Sequence, residues 1–482
     1  MNSKILNSLI EIVGKKNVLT SKEELFAYSY DALHFETSLP LAVVIPNSVE
    51  DISKIFYLAN EEKFGIVPRG SGTGLSGGAI PTKNSIVLLM NKWKNILEID
   101  ENNLTATVES GVITGEFQSI VESKDLFYPP DPGSSMICTL GGNCAENAGG
   151  LRGLKYGVTK NYILGMEVVL PNGDITFLGG KNVKDVAGYN LKDVLIGSEG
   201  TLCIFTKLLL KLLPKPQTQK TMLVTFENIF DASKTVSDII KAKILPSTLE
   251  FMDNVTVKSV QNFTKINLDT TANGTLLIEC DGNKFQVDEE IETIKNICKI
   301  NSAIKVKIAE TYDEVVMLKS TRKSAYASLA RSAQQVISED VVVPRSELSK
   351  IVEKIQTISK NNDIPVGIFG HFGDGNIHPL CLLQSKKIDE NKLEKMLNEI
   401  YEATISLGGS ITGEHGIGLA KKDFLPKAVG DISISFMKSL KNVLDKNDIL
   451  NPGKIFSPKT RCEGYLPKNI EQIKNFETQL WI

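Results

Sequence analysis

Apolar and polar positions along this chain change period from segment to segment, and the period names the element. Ile5, Leu6, Leu9, Ile10 and Val13 recur at helical spacing, with Asn7 and Glu11 between them, which predicts a short amphipathic helix near the start. Residues 41–67 read strand, helix, strand. LAVVIP is a β-rich run ended by proline. Ser48 then stands as an N-cap with Asp51 three residues on, and Ile52, Ile55, Phe56, Leu58 and Ala59 form the apolar stripe behind it. GIVPRG returns as a strand. Further strands are predicted at SIVLLMN, TATVESG, YILGMEVVLPNG and DITFLGG, with Asn172-Gly173 as a two-residue hairpin turn between the last two.

Two prolines among polar residues in PKPQTQK (214–220) interrupt the pattern and mark a domain boundary. Beyond it come strand TMLVTF, helix FDASKTVSDIIKA, strands STLEFMD and TLLIECDG, and helix FQVDEEIETIKNIC. That alternation suits an α+β module of the ferredoxin-like kind. From about residue 411 the chain is rich in glycine-bounded motifs and is expected to fold back on the earlier parts. The expected division is therefore 1–215, 216–410 and 411–482.

At 482 residues, the chain is long enough for roughly two to four domains. Its 54 Lys+Arg against 57 Asp+Glu leave a formal charge of −3, too little cation for a nucleic-acid partner. The most apolar stretch, LCIFTKLLLKLL, carries Lys207 and Lys211, so no transmembrane segment is expected; the N-terminus lacks a signal-peptide core. A cytoplasmic protein follows, with peripheral attachment to the inner membrane through a partner left open, and a homodimer also. Seven scattered cysteines without a CxxC pair read as reduced, buried residues. There are four histidines: His34, His371, His378 and His415.

PRGSGTGLSGG (68–78) is the densest glycine run, and Gly72, Gly74 and Gly77 satisfy GxGxxG. The continuation GAIPTKNSIVLLM predicts loop then strand, whereas a dinucleotide fingerprint must open a helix. The run still suits phosphate: successive glycines let backbone N–H groups face an anion, and Arg69, Ser71, Thr73 and Ser76 add donors. Two more small-residue tracts follow. One is PPDPGSSMICTLGGNCAENAGG (129–150), containing Gly141, Gly142, Asn143, Asn147, Gly149 and Gly150; the other is GSEGTLCIFTK (197–207). Three such tracts in one domain imply a long, flat ligand surrounded by backbone.

His371 and His378 lie in PVGIFGHFGDGNIHPLCLL, two apolar runs flanking Asp374-Gly375. With that dipeptide as the loop, residue 371 pairs with 378, and the imidazoles become direct cross-strand partners with Cβ atoms about 5 Å apart. Two imidazoles so placed can share a metal. Glu414, in ITGEHGIGL, adds a carboxylate, and two histidines plus one carboxylate make a catalytic metal set for zinc, with manganese or iron also admissible.

The order PRGSGTG, DPGS, GGN, NAGG, KYG, DVAGYNLKDVLIGSEGTL and NPGKIF resembles the vanillyl-alcohol-oxidase (PCMH) type of FAD-binding domain. Within that superfamily the chain is most similar to the FAD-linked 2-hydroxy acid dehydrogenases and oxidases, which include the FAD-linked component of glycolate oxidase and the D-lactate and D-2-hydroxyglutarate dehydrogenases. The resemblance implies an α+β fold: an FAD domain, a substrate (cap) domain, and a C-terminal segment completing the active site. It implies that Arg69, Gly70, Ser71, Gly72, Thr73, Gly74 and Ser76 hold the FAD pyrophosphate. Asp131, Thr139, Gly141, Gly142, Asn147, Gly149, Tyr156, Gly157, Glu199, Gly200, Ile204 and Asn451 would line the rest. No histidine stands in Arg69-Gly70-Ser71-Gly72 and His34 is far upstream, so the FAD is expected to be non-covalent.

By the same resemblance His371, His378 and Glu414 match the family's metal ligands, His415 its catalytic base, and Arg322 the arginine that takes the substrate carboxylate. Three positions depart from the family pattern. Cys203 replaces a glycine, Phe372 an alanine, and Ser338 the lysine that 2-hydroxyglutarate enzymes carry before the segment from Asp340 to Pro344. The last departure favours D-lactate or glycolate over a dicarboxylate. The expected reaction is oxidation of a small (R)-2-hydroxy acid to the 2-oxo acid, with electrons leaving to an iron–sulfur subunit, a cytochrome or a quinone. The alternatives are a non-redox or electron-transfer flavoprotein of the same superfamily and a D-2-hydroxyglutarate-type dehydrogenase.

Overall fold

The structure, a computed structural model, describes residues 3–33, 38–385 and 389–456, so His34, Arg461 and Cys462 lie outside the described residues. The predicted first helix spans Ser3–Val13 and buries Ile5, Leu9 and Val13. The first sheet takes β1 (Val18–Leu19), β2 (Val43–Val44), β3 (Gly65–Arg69) and β4 (Ser85–Leu89) in the order β1-β2-β4-β3. The predicted helix between β2 and β3 spans Val49–Glu62, and the Ser48 side chain accepts the Asp51 amide as its cap. After β3 the glycine run passes through a loop straight into β4, as its proline and β-branched residues predict.

The second sheet is antiparallel. It contains β5 (Ile96–Asp100) and β6 (Thr105–Glu109); β7 (Leu126–Phe127) stands apart, and β8 (Ile163–Val169), β9 (Ile175–Gly179) and β10 (Ile204–Lys211) complete an order β5-β6-β10-β8-β9. β11 (Leu213–Pro214) pairs with β7 as a ribbon. The β8–β9 turn is one residue longer than expected: Leu170 pairs with Asp174 around a three-residue loop, and Gly173 supplies a left-handed φ of 91°.

The third sheet contains β12 (Thr218–Phe226), β13 (Thr248–Asp253), β14 (Gly274–Gly282), β15 (Ala303–Ile308), β16 (Gln335–Ser338), β17 (Val341–Val342), β18 (Val366–His371) and β19 (Asn376–Leu383). Its order is β15-β12-β14-β13-β18-β19-β16, with β17 paired to β19. The first four strands, with helices Ile229–Lys241 and Lys284–Ile300, form a module of the ferredoxin-like kind expected from the sequence, with β15 added to the three strands predicted there. The β18–β19 hairpin then extends the β13 edge.

Both faces of this sheet are covered, so β13, β18 and β19 are buried along their whole length. One face packs Val236, Ile294, Ile355 and Ile400 of four helices against Phe251, Ile368 and Phe372. The other packs Val257, Leu318 and Leu329 against Met252, Phe369 and Leu380. Late in the chain, residues 449–451 return to β3: the Ile66 amide donates to Ile449 and the Asn451 amide to Ile66. No helix among the described residues is long and apolar enough to cross a membrane.

Candidate active site

A cavity of about 1170 Å³ is walled by the glycine loop from Arg69 to Gly74 on one side and by Arg322, His371, His378, Glu414 and His415 on the other. Asp131, Thr139, Gly141, Gly142, Gly149, Glu199, Gly200 and Ile204 also line it, as does Cys203. The wall is backbone because side chains would not fit. A Cβ on Gly70 would lie 2.3 Å from Thr139 Oγ1, and one on Gly141 would lie 2.6 Å from Ser110 Cβ. Ser110 and Glu146 line the cavity, and their Oγ and Oε2 atoms are buried without a hydrogen-bond partner among the described residues. Buried polar atoms left so are satisfied by a ligand or water. The size, the backbone lining and these orphaned atoms fit a flavin dinucleotide.

Five residues expected in the wall stand behind it. The Ser76 carbonyl accepts the Leu419 amide at 2.8 Å. Asn147 caps its helix at φ 54°, and its side-chain oxygen accepts the Lys160 amide at 2.9 Å. Tyr156 donates to Asp281 at 2.9 Å, and Gly157 turns at φ 79° beside Asn161. Asn451 donates to the carbonyls of Gly78 and Glu199 at 3.1 and 2.9 Å. These contacts hold the wall in shape. Glu199 does the same from the wall itself: its carboxylate accepts the Ile417 and Gly418 amides at 2.8 and 2.6 Å, fixing the segment that follows His415.

The hairpin register differs from the expected one. His371 pairs with Asn376 and His378 with Phe369, so the loop is the four residues 372–375. The Asp374 and Gly375 amides both donate to the His371 carbonyl, at 3.2 and 3.1 Å. Burial of Phe372 decides this: it is fully buried and stacks on Phe251 with centroids 4.0 Å apart. A slip of two residues keeps side chains on the same face, and the diagonal neighbours remain within reach. The two imidazole centroids are 5.2 Å apart.

Nε2 of His371 and of His378 lie 3.3 and 3.4 Å from Glu414 Oε1. With metal–nitrogen bonds of about 2.0–2.1 Å, a tetrahedral site has edges of about 3.3–3.4 Å, so the spacing fits a zinc-sized ion. Asp340, His378 and His415 also gather, with ligand atoms within 4.8 Å of one another. There, however, Asp340 Oδ2 already accepts from Thr412 and the amides of Gly413, Glu414 and His415, and Oδ1 accepts from Asn376. The first trio is the better cation site.

Burial works to raise the Glu414 carboxyl, but His371 and His378 outweigh it and hold it well below the ordinary carboxylate range. His415 lies parallel to His378 at 5.1 Å, and burial pushes it below the ordinary histidine value against the pull of Asp340. A neutral imidazole on the cavity wall is a proton acceptor. Arg322 stacks on Phe369 at 4.5 Å, and its Nε donates to Glu250 at 2.7 Å. The Asp340 bonds and Glu250 are what sequence reasoning missed. A lone carboxylate inside the otherwise apolar run LEFM was the available signal for Glu250.

Residues 215–455 match the family described as FAD linked oxidases, C-terminal domain, and residues 40–179 match FAD binding domain. The chain is 49% identical to glycolate oxidase subunit GlcD of Bacillus subtilis (strain 168), covering 95% of this chain and 97% of that one. It is 33% identical to a D-lactate dehydrogenase of Anaerostipes hadrus, over 92% and 95% of the two chains. Among solved structures it is similar to p-cresol methylhydroxylase with substrate bound, with a TM-score of 0.78 at 19% identity over 94% and 96% of the two chains; at that identity the likeness is one of fold. The chain belongs to the family of FAD-linked oxidases that includes glycolate oxidase subunit GlcD and the FAD-linked D-lactate dehydrogenases.

Proposed function

We propose that the protein oxidises a small (R)-2-hydroxy acid, D-lactate or glycolate, to its 2-oxo acid with non-covalent FAD and a divalent metal, zinc first. One observation carries this reading: the His371, His378 and Glu414 trio, Arg322 and His415 all line the cavity that the glycine loop closes. When bound, the metal would acidify the α-hydroxyl and the flavin would take up the two electrons and the α-hydrogen as a hydride equivalent. The chain's own residues do the rest. Arg322 presents its terminal nitrogens to the substrate carboxylate, whose two oxygens match a guanidinium fork. His415 accepts the hydroxyl proton. His371, His378 and Glu414 hold the metal, and Phe369 shields the guanidinium from water.

Ser338, on the cavity wall, offers no cation to a second substrate carboxylate, which supports a monocarboxylate. The names of the relatives support the same substrate class. The electrons then pass to an external acceptor: an iron–sulfur subunit, a cytochrome or a quinone. We read 1–215 as the FAD domain, 216–410 as the substrate domain and 411–482 as the segment that completes the site. Adding D-lactate, L-lactate or glycolate anaerobically to the purified flavoprotein, with zinc or manganese, tests the reading. Flavin bleaching by D-lactate or glycolate is expected. Full absorbance with all three acids and both metals would sink it.

A further inference from the structure

We propose that Glu250 is a positioning residue that joins the metal ligand His371 and the carboxylate-binding Arg322 into one rigid unit. The inference rests on the roles given to those two residues above and adds the part that sets their separation.

Glu250 lies in β13 with 1% of its surface exposed, and it divides its two oxygens. Oε1 lies 2.7 Å from His371 Nδ1, and Oε2 accepts Arg322 Nε at 2.7 Å. An ionised carboxylate only accepts hydrogen bonds. Nδ1 therefore carries its proton toward Glu250, and Nε2, which lies 3.3 Å from Glu414 Oε1, is the nitrogen that would meet a bound metal. On the other side, using Nε for Glu250 leaves both terminal nitrogens of Arg322 without a hydrogen-bond partner among the described residues. They remain available at the cavity wall. Phe369 packs on the guanidinium face, with Cζ 4.5 Å from the ring centroid.

The second histidine has no such anchor. His378 Nδ1 is 3.6 Å from Asp340 Oδ1 and makes no hydrogen bond among the described residues. The two imidazoles are thus inequivalent, and His371 is the one set in advance for its ligand role. A plain counter-ion for buried Arg322 would explain one of the Glu250 contacts. It does not explain an equally short contact to His371 from the other oxygen.

A 2-hydroxy acid offers a hydroxyl and a carboxylate on adjacent carbons. One carboxylate that fixes both the metal ligand and the arginine fixes the span that such a molecule has to bridge. Glutamine at this position keeps the shape but has one accepting and one donating end, so it cannot accept from both partners.

The test compares flavin-loaded wild type, E250Q and E250D. Zinc and manganese affinities are read by competition with a chromogenic chelator, and KM and kcat are read at saturating metal. Metal affinity should fall about 10–100-fold in E250Q and by less in E250D, which keeps two acceptors on a shorter arm. KM should rise while the flavin absorbance spectrum stays unchanged. Wild-type metal affinity in E250Q overturns the inference even if KM rises, because Glu250 would then serve Arg322 alone. If E250Q does not fold, E250D decides by the same measure. Wild type that binds neither metal overturns the metal reading and this inference together; wild type that binds while the variant binds equally overturns only the inference.

Discussion

At the residue scale, the site turns a few buried charges into fixed donors and acceptors. His415 is the clearest case. Burial lowers its pKa below the ordinary histidine value against the pull of Asp340, which favours the neutral ring. The proposed base must be unprotonated to act, so the rate of flavin reduction should hold as pH falls to about 6.5, the ordinary histidine value. It should decline only below that, as His415 gains its proton. His415→Ala should keep the flavin spectrum while slowing substrate reduction of the flavin by about 10²–10⁴-fold in stopped-flow absorbance. Full activity in that variant would remove the base assignment. The residue types themselves were legible: two histidines, a Glu-His pair and one arginine stand out where both types are scarce. Glu250 and Asp340 were not legible as partners. They act through contacts 121 and 75 residues away along the chain, to His371 and His415 respectively.

At the element scale, glycines do two different jobs. A Cβ on Gly418, at φ 47°, would lie 2.2 Å from the Ser76 carbonyl oxygen, so Gly418 welds the segment after His415 to the glycine loop. Around Gly74 a Cβ meets nothing within 4 Å, because that glycine faces the cavity. Gly418→Ala should therefore lower both the melting temperature and flavin affinity, at a strain cost of about 1–3 kcal/mol. Gly74→Ala should weaken flavin binding and leave the melting temperature of the flavin-free protein unchanged. Equal melting losses in the two variants would contradict this division. Period alone marked part of the elements, including the Ser48-capped helix and three of the four ferredoxin-like strands, but none of the helices between Tyr312 and Leu444 and not the strand order. Turn lengths were not: both hairpins were expected with two-residue loops, and they have three and four residues.

At the scale of the molecule, the cavity exists only because the third sheet is docked on the first two. The KYG tract makes part of that joint. Lys155 pairs with Asp281 Oδ1 at 2.6 Å and also meets the Asp281 carbonyl, while Tyr156 donates to Oδ2. Asp281→Ala leaves Tyr156 without its acceptor and Lys155 with the backbone carbonyl alone, and should cost about 1–3 kcal/mol, read as a fall in melting temperature. An unchanged melting temperature would mean that the joint is held elsewhere.

The sequence by itself determined part of the elements, the glycine-rich loop between two strands and the presence of the His and Glu donors. Each of those depends on local steric preference or on residue chemistry. Tertiary structure decided which donors meet. The Asp374-Gly375 turn preference is local and weak, whereas burying Phe372 against Phe251 removes a whole aromatic side chain from water. Packing won and moved the register by two residues. Because side chains alternate with period two, His371 and His378 stay on the same face in either register, and the donor set is preserved. The bridge from His371 through Glu250 to Arg322 joins two strands and a helix that are far apart in the chain, and only the packed sheet brings them together.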